Sequence, residues 1–226
     1  MRAPIKQGLY DPFNEHDSCG VGFVADVEGR MSHNIIAQAL NALARMEHRG
    51  AVGCEENTGD GAGILIQTPH DFFARQCAEI KIDLPAAGDY GIGMVFLPTK
   101  NESMEECELA FERIAGEENL RVLAWREVPT DNSRLGETAK QSQPVIKQVF
   151  ISKLGGIDSE TFERKLFVVR KRITKFIRRS AIRGRGMFYV ASLSCKTIVY
   201  KGMLTTYQLR AFYPDLNEES LKSALA

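Results

Sequence analysis

The chain has 226 residues, with 29 lysines and arginines against 29 aspartates and glutamates. That length is enough for one large domain or two small ones with a sizeable core, and the balanced charge argues against a nucleic acid or an anionic membrane as partner. No run approaches the ~18 apolar residues of a membrane span, and the first residues lack the apolar core of a signal peptide.

Residues 1–18 hold two prolines, mixed polarity and no sustained period, and read as a leader. The alternating apolar run over 20–26 predicts a first, half-buried strand that starts at Cys19. Ser32 can cap a helix over 33–46, with Ile35, Ile36, Ala39, Leu40, Leu43 and Met46 as its apolar stripe. Residues 47–61 are a glycine-rich loop, 64–67 a strand, and Pro69 opens a short helix to about residue 78. A strand over 90–97 stops at Pro98, and an acidic amphipathic helix covers 103–117. Strands follow at 120–128 and 145–152, with a short helix at 134–141 between them. Asp158 or Ser159 starts a long helix to residue 179, on which Phe162, Leu166, Val169, Ile173 and Phe176 recur at helical spacing. Residues 187–194 and 197–204 read as a hairpin around Cys195-Lys196, and a last short helix is expected from Glu218. Strands and helices do not alternate as strictly as a Rossmann fold requires, so the class is α+β.

Cys19-Gly20-Val21-Gly22-Phe23 is the stretch with chemical content. Two glycines leave the backbone bare beside a thiol. If the chain were cut before Cys19, its α-amine, with a reference pKa of about 7.7–8.0, could act as general base for its own thiol. The alternative is a buried small hydrophobe, the commonest fate of an unpaired cysteine. The five cysteines, Cys19, Cys54, Cys77, Cys107 and Cys195, are odd in number, far apart and without a CxxC pair. A disulfide framework or zinc site is not expected, and a reducing cytoplasm fits. None of the four histidines has ligand spacing, so no metal is expected.

Three segments in order, Cys19-Gly20-Val21-Gly22-Phe23-Val24-Ala25, Met46-Glu47-His48-Arg49-Gly50-Ala51 and Thr58-Gly59-Asp60-Gly61-Ala62-Gly63-Ile64, resemble one family. It is the amino-terminal glutaminase domain of the glutamate synthase large subunit, a type 2 glutamine amidotransferase of the N-terminal nucleophile hydrolase superfamily. The approach through Tyr10-Asp11-Pro12 to Cys19, then Val128-Pro129-Thr130-Asp131, and the stretch from Gln143 to Phe150 carry the resemblance over essentially the whole chain. It implies a four-layer αββα sandwich, truncated at its C-terminus, with residues 1–18 as leader and 19–226 as an incomplete amidotransferase domain.

The resemblance also implies a reaction: Cys19 hydrolyses L-glutamine to glutamate and ammonia through a thioester. In the full-length enzyme the ammonia serves the reductive amination of 2-oxoglutarate, the oxidoreductase step of glutamate biosynthesis and nitrogen assimilation. FMN and an iron–sulfur cluster are implied for that enzyme and none for this chain. The implied partners are the FMN domain and a small subunit or ferredoxin. Substrate-binding residues are expected at Arg49, Gly50 and Asp60. Taken alone, Arg49 is equally a dipole partner at a helix end. The glycines around Asp60 precede a strand and lack GK[ST], so they read as a tight turn in which Asp60 bonds neighbouring amides, not as a phosphate loop. The family's oxyanion-hole Asn-Gly pair is missing: no asparagine here precedes a glycine. Two other readings stay open, a hydrolase of another amide and a non-catalytic interaction domain. The basic stretch 164–185 has no aromatics on its polar face and reads as a solvated or intramolecular contact face.

Overall fold

The computed structural model describes residues 6–8, 11, 20–47 and 57–226. Helix α1 covers His33–Arg45, followed by β1 (Ala62–Gln67), α2 (His70–Glu79), β2 (Tyr90–Leu97), α3 (Asn101–Glu117) and β3 (Leu120–Glu127). Then come α4 (Glu137–Gln141), β4 (Val145–Lys153), α5 (Ser159–Arg179), β5 (Tyr189–Ser194), β6 (Thr197–Gly202) and α6 (Gln208–Phe212). The fold is α+β with antiparallel sheets. One sheet has the order β3-β4-β2-β5 and the other pairs β1 with β6.

Strand β2 lies inside its sheet and is buried along almost its whole length. Its side chains alternate between two cores. Val95 and Leu97, with Val149 and Ile151 of β4, meet Phe111 and Ile114 of α3 and Phe162, Leu166, Val169 and Ile173 of α5. Ile92, Met94 and Phe150 face the other way, toward Ile64 and Ile66 of β1, Tyr200 of β6, Ile36 and Leu40 of α1 and Phe73 of α2. Two glycines keep the helix side of β2 clear: a Cβ at Gly91 would lie 2.5 Å from Leu166 Cδ1, and one at Gly93 would lie 2.6 Å from Val149 Cγ1. Helix α5 starts where Asp158, one of the two starts the sequence offers, accepts the Thr161 amide at 2.9 Å. The acidic α3 lies beside the basic α5, as Arg172 bridges to Glu117 and Glu118.

Several local expectations are corrected. Residues 20–26 form no strand. Ala25 bridges singly to Leu225, and Val21 and Phe23 are 91% and 81% exposed, not half-buried. Its backbone bonds to the tail while Val21 and Phe23 stay exposed, so the alternating pattern finds no core to face. The Ser32 side chain caps nothing; its backbone bridges to Ser223. Strands β5 and β6 follow one another through Cys195-Lys196 but share no ladder, because β5 pairs with β2 and β6 with β1. The hydroxyls of Ser192 and Ser194 accept the Val199 and Thr197 amides instead. No helix begins at Glu218. The chain after α6 makes a 3-10 turn over Pro214–Asn217 and then runs irregularly to Ala226. Among the described residues no helix is long and apolar enough to cross a membrane.

A polar group lies in the second core. Arg126 and Asp215 are 7% and 3% exposed. Arg126 grips the carboxylate through both terminal nitrogens, Nη1 to Oδ2 at 2.8 Å and Nη2 to Oδ1 at 2.9 Å. Its Nε and Nη1 also donate to Gln76 and Gln148, while the Tyr200 hydroxyl donates to Asp215 Oδ2 at 3.0 Å and accepts from Gln148 Nε2. Burial works against the Arg126 charge, and the bond and charge of Asp215 outweigh it, so its pKa is raised.

Candidate active site

Cys19, Arg49 and Gly50, three of the residues predicted to act on substrate, lie outside the described residues. What surrounds them in sequence is described. Gly20, bonded to Cys19, lines a cavity of about 320 Å³ together with Val21, Gly22, Phe23 and Val24. One wall is α1, whose Ala39 and Ala42 leave room and whose Leu43 and Met46 supply apolar surface. The stripe that folds this helix therefore serves two ends: Ile36 and Leu40 go to the core, and the next turn borders the cavity. A second wall is the start of β1, Gly63-Ile64-Leu65, and the last is Leu225-Ala226.

The tail and the segment after Cys19 are tied by their backbones. The Val24 amide donates to Ala226 O and the Ala226 amide donates to Val24 O, each at 2.9 Å. The Asp26 amide donates to Ala224 O, also at 2.9 Å. Asp26 then closes a turn with its carboxylate, which accepts the amides of Glu28 and Arg30. The Arg30 amide bond holds that carboxyl below the usual aspartate range.

Asp60 is described, exposed and not on the cavity wall. It accepts no hydrogen bond from a described amide, contrary to expectation. The turn is held by backbone packing instead: a Cβ on Gly59 would lie 2.5 Å from the Leu204 carbonyl and the Thr205 nitrogen, and Gly61 has φ +139°. The cavity wall carries no charged side chain among the described residues. Its chemistry is backbone amides and apolar side chains, which suits the methylene stem of a ligand and not its charged ends. No group of three or more His, Cys, Asp or Glu side chains among the described residues could hold a metal ion. The described cysteines Cys77, Cys107 and Cys195 are each buried and unpaired, and offer no ligand set for an iron–sulfur cluster.

Sequence reasoning missed the contribution of Leu225 and Ala226 to this cavity. Nothing local marks them, since their role comes from pairing with residues about two hundred positions earlier.

The family model of class-II glutamine amidotransferases matches residues 19–226. The chain is 42% identical over 224 residues to the glutamate synthase [NADPH] large chain of Bacillus subtilis, a match covering 99% of this chain and 14% of that relative. It is 42% identical over 234 residues to glutamate synthase [NADH] of Saccharomyces cerevisiae, covering 99% and 11%. Against the ferredoxin-dependent glutamate synthase of Pyropia yezoensis it is 41% identical over 215 residues, covering 94% and 14%. The chain thus spans 11–14% of the length of these relatives. A family match that starts at Cys19 and runs over the cavity, both sheets and the tail places the protein: the chain belongs to the class-II glutamine amidotransferases.

Proposed function

We propose that this chain is the glutaminase part of a glutamate synthase, with Cys19 as nucleophile once residues 1–18 are removed. The observation that carries the reading is the coincidence of two features. The family match begins at Cys19, and its neighbour Gly20 lines the cavity. In the proposed reaction the Cys19 sulfur bonds to the side-chain carboxamide carbon of L-glutamine, and the thiol proton passes through water to the α-amine. Collapse of the tetrahedral intermediate breaks the C–N bond, ammonia leaves with that proton, and water cleaves the thioester to glutamate and free thiol. Bare backbone at Gly20 and Gly22 admits the substrate, and the apolar wall takes its methylenes.

The charged ends of glutamine need partners that the described wall lacks. Arg49, in the segment that follows α1, is assigned to substrate contact or to positioning that segment, with Gly50 beside it in sequence and Asp60 in the glycine turn. A planar guanidinium suits a carboxylate bidentately. The proposed architecture is the four-layer αββα sandwich of the superfamily, with the described sheets as its two inner layers. The ammonia would serve reductive amination of 2-oxoglutarate in the cytoplasm, in a protein that elsewhere binds FMN and an iron–sulfur cluster and takes electrons from a small subunit or ferredoxin. The described residues offer no ligand set for an iron–sulfur cluster, and the proposed glutaminase steps use neither cofactor.

Mass spectrometry of the mature protein tests this. The expected terminus is Cys19, and 6-diazo-5-oxo-norleucine should add to that residue alone. A terminus upstream of Cys19 with no adduct on its sulfur overturns the proposal. In the processed protein Arg49→Ala should lower kcat/KM for glutamine by at least about tenfold, the cost of a lost charged contact of ~1.5–3 kcal/mol, with the melting temperature unchanged. Equal kcat/KM would remove Arg49 from the site.

A further inference from the structure

Two observations meet at the tail. The first is what the tail touches. Residues 223–226 lie between the segment after Cys19 and the end of β1. On one side are the paired backbones of Val24 and Ala226, the Asp26–Ala224 bond, and a two-way exchange between Ser32 and Ser223. On the other side Ser223 Oγ accepts the Gln67 amide at 3.0 Å, and Gln67 Oε1 accepts the Ala224 amide at 2.9 Å. His33 Nδ1 donates to the Leu221 carbonyl at 3.1 Å. The tail is therefore a strap that sets how far the backbone of residues 24–26 stands from β1, and so one dimension of the cavity.

The second observation is how the strap is anchored. Residues 218–226 contain no helix or strand of their own. Upstream, the 3-10 turn over Pro214–Asn217 carries Asp215 into the core, where Arg126 and Tyr200 hold both of its oxygens. Leu216 and Leu221 are fully buried nearby and would anchor the turn by apolar contact alone. Apolar burial has no preferred direction, whereas a two-pronged guanidinium–carboxylate grip fixes angle as well as distance.

We infer that the Arg126–Asp215 pair is a positioning device that fixes the register of the tail strap, and through it the backbone that follows Cys19. Neither residue is a catalytic group: both are buried beneath the sheet and absent from the cavity wall. Only the catalytic consequence rests on the proposed role of Cys19.

Amide hydrogen exchange on the full chain tests the inference region by region. In Asp215→Asn the amides of Val24, Asp26 and Ala226 should exchange at least about tenfold faster, while ladder amides of β2 and β4 such as Ile92 and Val149 stay within about twofold. Tyr200→Phe keeps the ion pair and deletes one bond to Asp215. It should show the same regional pattern at smaller amplitude, and it carries the test alone if Asp215→Asn does not fold. In glutamine hydrolysis both variants should lower kcat with KM within about twofold. Acceleration spread evenly over all amides, or none at residues 24–26, overturns the positioning role. If the variants show the regional exchange pattern while the complete, processed wild-type enzyme has no glutaminase activity, the Cys19 reading falls and the strap stands.

Discussion

Cys77, Cys107 and Cys195 show what a protein interior does to a thiol. Burial pushes Cys77 up to about 11 and Cys107 up to about 12. Burial does the same to Cys195, aided by the Glu163 carboxylate that its sulfur touches at 3.0 Å, and brings it to about 11. Only the thiolate attacks, so all three are inert near neutral pH. Iodoacetamide at pH 7.5 should leave them unmodified in the folded protein and label them after denaturation, as peptide mapping would show. Labelling of any of the three at the rate of free cysteine would mean that its burial is lost in solution. In the sequence the glycines beside Cys19 leave two readings open, nucleophile or buried hydrophobe, and only the resemblance over the rest of the chain favours the first. The Arg126–Asp215 pair was not legible in the same way. An arginine in the apolar run Leu123-Ala124-Trp125-Arg126 demands a partner, but nothing local says that the partner follows Pro214.

Elements were legible wherever one period ran without interruption. The buried run of β2 matches the sequence reading, and so does the α5 stripe at Phe162, Leu166, Val169 and Ile173, but its last member is Ile177 and not the expected Phe176, which is 41% exposed. Pairing was not legible, because a period says which residues face a core and not which strand lies alongside. The expected hairpin of β5 and β6 splits between two sheets for that reason. The contact of β2 with α5 makes a sharp prediction. Gly91→Ala would press a methyl against Leu166, and overpacking of this kind costs about 1–3 kcal/mol. The melting temperature should fall by roughly 2–4 °C per kcal/mol for a domain of this size. Combined with Leu166→Ala, the two losses should be less than additive, because the truncated side chain vacates the space. Full additivity in the double-mutant cycle would show that the helix moves away instead.

Over the whole molecule, equal numbers of acidic and basic residues conceal an uneven arrangement. One cation of α5, Arg172, is answered at the end of α3 by Glu117 and Glu118. Side-chain bonds from Arg172 and Arg113 hold the Glu117 carboxyl below its usual range, the Thr161 amide does so for Asp158, and the Arg30 amide for Asp26. A carboxyl depressed in the folded state stabilises it above the unfolded pKa of about 3.9–4.3, and that contribution disappears as pH falls through the lower folded value. The melting temperature should therefore be flat from pH 5 to pH 7 with respect to these groups and decline below about pH 4. Salt should soften the decline, because all three groups are screened by solvent. A midpoint that rises on acidification to pH 3 would contradict this assignment. The register of β1 with β6, in which Ala62 faces Gly202, has a consequence for synthesis. On a ribosome the first partner emerges long before the second, so Ile64 and Ile66 must wait until residues 197–202 have been translated. The β2–β4 pairing becomes available much sooner. A nascent chain arrested before residue 197 should therefore already protect β2 while still recruiting chaperones to the early, unmatched strand.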